Sequence, residues 1–196
     1  MYMKKNRIET LVDGIFAIAM TLLVLDLAVP KITGPLSEVI IQNALYALIP
    51  SFISMVVSFI LLAMFWNIHH RIYSQIKSVN GALLWINIMW LLFIVLVPFS
   101  ASLNGDYGDF TISDFIFNIN MIGIALLLYF NIYIIKRDDV INEKMDMVKL
   151  RSSEKATLLF ILIALLALVL AFIVPRWGNL AYLLIVPLEI LMDKKS

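Results

Sequence analysis

Apolar residues in this chain of 196 residues are gathered into several separate runs, each long enough to cross a lipid bilayer. A helix needs about 20 consecutive, mostly apolar residues to span the hydrocarbon layer. The run from Ala156 to Val174, for example, contains no charged side chain. Hydrophobic residues make up 62% of the chain and charged residues 15%, against about 45–50% and about 25% in soluble domains. The sequence therefore predicts an all-α integral membrane protein.

The apolar runs predict six transmembrane helices, which form a single domain over residues 1–196. Pro30 closes the first run, Pro50 lies near the start of the second, and Pro98 is expected to kink or end the third. The sixth run is the shortest and contains both a proline and a glutamate. The predicted spans are residues 8–29, 44–68, 81–103, 115–135, 156–174 and 177–192.

Basic residues lie almost entirely on one side of the predicted membrane. Of the 15 lysines and arginines, 13 fall before the first span, between the second and third, between the fourth and fifth, or after the sixth. Lys31 and Arg176 are the exceptions. Because cytoplasmic loops carry the excess of lysine and arginine, we expect a multi-pass protein with both termini in the cytoplasm.

Composition argues against several classes of function. A net charge of +1 without a basic face argues against a nucleic-acid partner, and the absence of cysteine excludes disulfides and thiolate metal sites. The only histidines, His69 and His70, point about 100° apart on a helix, so we expect no metal site and no cofactor. Ser51, Ser54 and Ser58 have no acid–base partner at useful spacing, which favours helix packing over an enzyme.

The first span carries charged side chains that a helix lying only in lipid does not need. Arg7, Glu9 and Asp13 fall within its first two turns, where snorkelling and ion pairing can hold them at the membrane boundary. Asp26 lies near the opposite end of the span. It is either an interface residue or a charge that faces a water-filled mouth.

The first span also carries an aliphatic stripe. Ile18, Leu22 and Leu25 follow one another at i, i+4 and i+7 and therefore share one helix face. Such a stripe most often packs against lipid or a neighbouring helix. His69 and His70 end the second span at a depth similar to that of Asp13, so they are candidate hydrogen-bond partners for the polar groups of the first span.

These motifs, in their order and spacing, resemble the prokaryotic relatives of transmembrane protein 175, the endolysosomal potassium and proton channel. The hallmark of that family on its first helix is R-x-x-x-F-S-D, and this chain has Arg7, Leu11, Val12 and Asp13 at those positions. The further matches are Trp66, His69, His70 and Arg71 at the end of the second helix, and Asn87 with residues 96–103 in the third.

Leu11 and Val12 depart from the phenylalanine and serine of the hallmark. The family's serine belongs to a polar network that ties the first helix to its neighbours, and valine has no hydrogen-bonding group. We expect the network to be rebuilt here from Arg7, Asp13 and His70, or to be weaker.

The resemblance implies a homotetramer in which the first helices line a central pore. It implies Ile18 as the constriction, with Leu22 and Leu25 as further apolar layers and Thr21 beside them. An aliphatic ring offers no dipole to replace a hydration shell, so it closes by dewetting and opens when it widens. The implied function is passive conduction of K⁺ in preference to Na⁺, and Asp26 would concentrate cations near the mouth.

Two other functions stay open. A proton channel is the nearest, since Asp13, His69 and His70 are titratable. A secondary transporter belongs to another class, although inverted repeats and paired broken helices are not visible in the sequence. We expect the protein to lie in a prokaryotic plasma membrane, because it has the size of a single-repeat member of the family.

Overall fold

The computed structural model describes residues 3–25, 27–32, 34–137, 146–174, 178–185 and 187. The described chain is almost entirely helical, with one pair of very short strands. In chain order the elements are β1 (Met3–Lys4), α1 (Lys5–Leu25), α2 (Glu38–Ala47), α3 (Ile49–Tyr73), β2 (Ser78–Val79), α4 (Gly81–Val95), α5 (Val97–Tyr107), α6 (Thr111–Arg137), α7 (Met147–Ala171) and a 3₁₀ helix (Gly178–Leu184).

Five helical stretches among the described residues are long and apolar enough to cross a membrane, so the chain is a multi-pass membrane protein. Two of them combine a pair of consecutive helices. The five stretches are Lys5–Leu25, Glu38–Tyr73, Gly81–Tyr107, Thr111–Arg137 and Met147–Ala171.

Prolines explain why two of the long stretches are divided. Pro50 and Pro98 lie in the first turns of α3 and α5, where their missing N–H groups cost no internal hydrogen bond. The residues that join the helices, Leu48 and Leu96, keep a helical backbone conformation. Each pair of helices therefore forms one nearly continuous rod with a local break, as predicted for Pro98.

The ends of the helices differ from the predicted spans. The first helix ends at Leu25 rather than at residue 29, because the N–H of Leu27 turns back to the carbonyl of Val24 and Pro30 cannot donate. The fifth long helix begins at Met147, well before residue 156. Asp146 caps it by accepting hydrogen bonds from the backbone of its first turn.

The structure describes only part of the predicted sixth span. Residues Gly178–Leu184 form a 3₁₀ helix of seven residues, too short to cross a bilayer. The other residues of the predicted span, apart from residues 185 and 187, lie outside the described part of the chain.

Helix α3 contacts α1 and α5 in the amino-terminal half of the chain, and it also contacts α7. Helix α6 contacts α4, α5 and α7 and so joins the two halves. The strand pair fastens the start of α1 to the turn before α4, with Met3 opposite Val79 and Lys4 opposite Ser78.

Candidate functional site

One face of α1 is buried against the rest of the chain. Each residue of this face is only 2% exposed, and the helix contacts α3, α4 and α5. This spacing of three to four residues is that of a helix packed along a single side. The buried residues are Ile8, Val12, Phe16, Ala19 and Leu23.

A second face of α1 is exposed, and it contains the predicted aliphatic stripe. The exposed fractions are 60% for Ile18, 39% for Leu22 and 70% for Leu25. Leu11 and Gly14 extend the same exposed stripe toward the start of the helix. In a membrane protein, a stripe left open by one copy is available to lipid, to a second copy or to a shared axis.

Thr21 is exposed beside this stripe, but its hydroxyl group is used within the helix. It donates to the carbonyl oxygens of Ala17, at 3.0 Å, and Ile18, at 2.8 Å. The residue that was expected to add charge near this end, Asp26, lies outside the described residues.

Asp13 joins α1 to α3 through a tryptophan. Its Oδ1 accepts a hydrogen bond of 2.8 Å from Nε1 of Trp66, one of the residues that carry the family resemblance at the end of the second span. The ring of Trp66 stacks on His70, with centroids 5.9 Å apart. His70 therefore contacts the partner of Asp13 rather than Asp13 itself. Arg7 is exposed on α1.

His69 points into the interior and joins α3 to α4. It is 2% exposed, and its Nε2 lies 2.9 Å from Oδ1 of Asn87. Its ring stacks on two other rings. The distance between ring centroids is 3.9 Å to Tyr73 and 4.7 Å to Trp90. Trp90 also contacts Phe16 of α1, so aromatic rings connect three helices at this depth.

The two positions that depart from the family hallmark face different surroundings. Val12 belongs to the buried face of α1, whereas Leu11 is 44% exposed on the unpacked face. Val12 therefore contributes apolar packing at the position where the hallmark has a hydroxyl group. The polar connections of α1 to α3 run through Asp13 instead.

A buried polar cluster that the sequence analysis missed lies where α5, α6 and the 3₁₀ helix meet. Oδ1 of Asp114 accepts hydrogen bonds from the side-chain amides of Asn104 and Asn179. Asn118 donates to Asn179, at 2.9 Å, and accepts from the hydroxyl of Tyr182, at 2.7 Å. Asp114 and Asn118 are spaced at i, i+4 within an apolar run, and that spacing was the available signal.

The amino-terminal half matches a known family. The model of the family described as "Endosomal/lysosomal potassium channel TMEM175" matches residues 7–98. These residues include α1, α3 and α4, with the Asp13–Trp66 and His69–Asn87 pairs. The resemblance to the TMEM175 family is confirmed.

Individual relatives match over the same part of the chain. A potassium channel of Streptomyces collinus is 38% identical over 104 residues, which are 53% of this chain and 49% of the relative. A potassium channel of Chamaesiphon minutus is also 38% identical, over 52% of this chain and 50% of the relative. The chicken endosomal/lysosomal proton channel TMEM175 is 27% identical over 55% of this chain and 22% of its own length. The chain thus spans about half the length of its bacterial relatives.

The fold extends this similarity along the rest of the chain. The crystal structure of a lysosomal potassium-selective channel TMEM175 homologue from Chamaesiphon minutus has a TM-score of 0.77 and 24% identity, and the match covers 97% of both chains. A second structure, of a MtTMEM175 potassium channel variant, has a TM-score of 0.57 and 21% identity, over 96% of this chain and 91% of the other. The chain therefore has the all-helical TMEM175 fold.

Proposed function

We propose that this chain is a potassium-permeable cation channel in which four identical subunits surround one pore lined by α1. The observation that carries the proposal is the exposed stripe of Ile18, Leu22 and Leu25, on the same helix as a fully packed face. The bacterial relatives named as potassium channels, and the TMEM175 fold, support the same function.

In this proposal, Ile18 from each subunit forms the narrowest ring, and Leu22 and Leu25 form further apolar layers. A narrow aliphatic ring excludes water and blocks conduction until it widens. A partly dehydrated ion can then pass, and K⁺ loses its water at lower cost than the more strongly hydrated Na⁺. Selection thus depends on dehydration, since the ring supplies no oxygen ligands.

The distribution of basic residues supports an orientation with both termini in the cytoplasm, in a prokaryotic plasma membrane. In that orientation, the carboxyl-terminal end of α1 faces the outside. Cysteines introduced singly at Lys5 and at Tyr107 would report the orientation through membrane-impermeant labelling, because the native chain has no cysteine.

Potassium flux from purified protein in liposomes tests the proposal. Ile18→Asn places a polar amide in the ring, so we expect a higher resting K⁺ leak and a lower preference for K⁺ over Na⁺. Val24→Asn is the matched control, because Val24 is 54% exposed on the same helix but lies away from the stripe. Equal fluxes in wild type and Ile18→Asn would contradict the proposed constriction.

Proton conduction is the second candidate, because vertebrate relatives are named proton channels. Asp13 and His70 are exposed titratable groups near the amino-terminal part of α1. Reversal potentials measured under opposed pH and K⁺ gradients separate the two functions. A reversal potential that follows the K⁺ gradient supports the potassium channel, and one that follows the pH gradient supports the proton channel.

A further inference from the structure

A carboxylate on α5 lies beside the carboxyl-terminal end of the candidate pore helix. Asp106, in the last turn of α5, is exposed. It lines a small cavity together with Leu23 and Leu27. Leu23 is the last buried residue of α1, and Leu27 lies just after that helix. The third predicted span ends at residue 103, but the helix continues to Tyr107 and so includes Asp106.

Close packing of α5 on α3 fixes the position of this carboxylate. Oδ1 of Asp106 accepts a hydrogen bond of 3.1 Å from the hydroxyl of Ser51. Next to it, a Cβ atom at Gly105 would lie only 2.7 Å from the Cα of Ser51, so the approach of the two backbones requires glycine. One turn earlier, the hydroxyl of Ser54 donates to the carbonyl of Ala101 at 2.8 Å.

The carboxylate of Asp106 is exposed in a single copy of the chain. It faces a cleft of about 600 Å³, and the described residues that line this cleft include no basic side chain. The hydroxyl of Ser51 is neutral and so holds the carboxylate in place without cancelling its charge. The residues that line the cleft are Tyr46, Ala47, Leu48, Pro50, Ser51, Gly105, Asp106 and Tyr107.

We propose that Asp106 is a fixed negative charge at the outer mouth of the pore, which raises the local concentration of univalent cations and so increases inward K⁺ conductance at low ionic strength. This inference rests on the proposed function. Fixed charge near an entrance attracts counter-ions over roughly one Debye length. That length is about 30 Å at 0.01 M salt and about 3 Å at 1 M.

Single-channel K⁺ conductance of Asp106→Asn in planar bilayers tests the inference. Asparagine keeps an oxygen that can accept from Ser51, so the packing of α5 on α3 is retained while the charge is lost. We expect conductance to fall by about two- to five-fold at 0.01 M KCl and to equal that of wild type at about 1 M. Asp106→Glu keeps the charge and should retain wild-type conductance at both concentrations.

Glu38→Gln is the matched control, because Glu38 is an exposed carboxylate at the far end of α2, and α2 packs against α3 among the described elements. At 0.01 M KCl, Glu38→Gln should lower the K⁺ conductance less than Asp106→Asn does. Equal losses in the two variants, or no loss in Asp106→Asn, would overturn the inference while leaving the proposed channel intact. A wild-type protein that carries no K⁺ current would instead overturn the proposed function, and this inference with it.

Chemical restoration of the charge gives an independent readout. In Asp106→Cys, a sulfonated methanethiosulfonate reagent applied to the outer side should restore conductance at 0.01 M KCl, and a trimethylammonium reagent should lower it further. The native chain has no cysteine, so the reagents modify only the introduced residue. The same conductance after either reagent would contradict an electrostatic role.

Discussion

The hydrogen bond from Trp66 to Asp13 joins α1 and α3 where both side chains are exposed in a single copy. The indole N–H and the carboxylate make a charge-assisted pair, but the exposure of both groups reduces its net contribution. We therefore attribute about 1 kcal/mol of stability to it. The stacking of Trp66 on His70 depends on the ring and not on the N–H group.

Trp66→Phe removes the donor and keeps an aromatic ring, so it should lower the melting temperature of the purified protein. For a chain of this size, the expected decrease is about 2–4 °C. Trp85→Phe is the matched control, because Trp85 is 67% exposed and should tolerate the change. Melting curves followed by circular dichroism measure both variants, and an equal response of the two would contradict a stabilising role for the Trp66 N–H.

At this scale, the sequence indicated which side chains are unusual but not which neighbours they meet. Asp13 and His69 stood out because charged and imidazole groups are rare in apolar runs. Trp66 stood out only as a match to the family at the end of the second helix. Its role as the partner of Asp13 depends on which helices are adjacent, and residue type alone does not determine that.

Helices α3 and α5 approach each other closely at Gly105. A methyl group there would lie 2.7 Å from a backbone carbon of Ser51, and backbone cannot rotate away as a side chain can. Ser54 and Ala101 continue the contact one turn further along. Small residues thus allow two helices to approach closely without a large apolar interface, as is common in membrane proteins.

Gly105→Ala should therefore destabilise the protein by about 1–3 kcal/mol through overpacking, although alanine favours a helix. Gly81→Ala is the control, because nothing lies within 4 Å of a Cβ at Gly81. It should leave the melting temperature unchanged or raise it slightly. Thermal melts in one detergent compare the two, and a neutral Gly105→Ala would show that the close approach is not needed for stability.

Helix positions were predictable from apolar runs, whereas helix ends and polar junctions were not. Hydropathy marks the stretch that the bilayer requires, but α7 starts earlier because Asp146 supplies a cap beyond the apolar run. The sixth run is predicted as a span from its composition, but composition does not show that Gly178–Leu184 form a 3₁₀ helix held by Asn179 and Tyr182 to the cluster around Asp114. Such contacts between distant residues leave no mark on local hydropathy.

For the whole molecule, the fold class was predictable because a bilayer permits few architectures. Backbone polar groups in lipid must be satisfied within the chain, so long apolar runs imply helices. The tetramer with a shared pore was instead implied by the family resemblance. Helical spacing alone does not imply it, because Ile18, Leu22 and Leu25 would follow one another in the same way on a helix that faces lipid. In one copy of the chain this face of α1 is exposed, so it is available to lipid or to another copy.

Block of single-cysteine variants by Ag⁺, a univalent cation that binds thiolates, tests the central claim most directly, because the native chain contains no cysteine. If Ile18 faces a shared ion path, low Ag⁺ concentrations should irreversibly block K⁺ current through Ile18→Cys and leave Val24→Cys and the wild type unaffected. Ile18→Cys channels that conduct normally in Ag⁺, or equal block of Ile18→Cys and Val24→Cys, would contradict a pore lined by this face of α1.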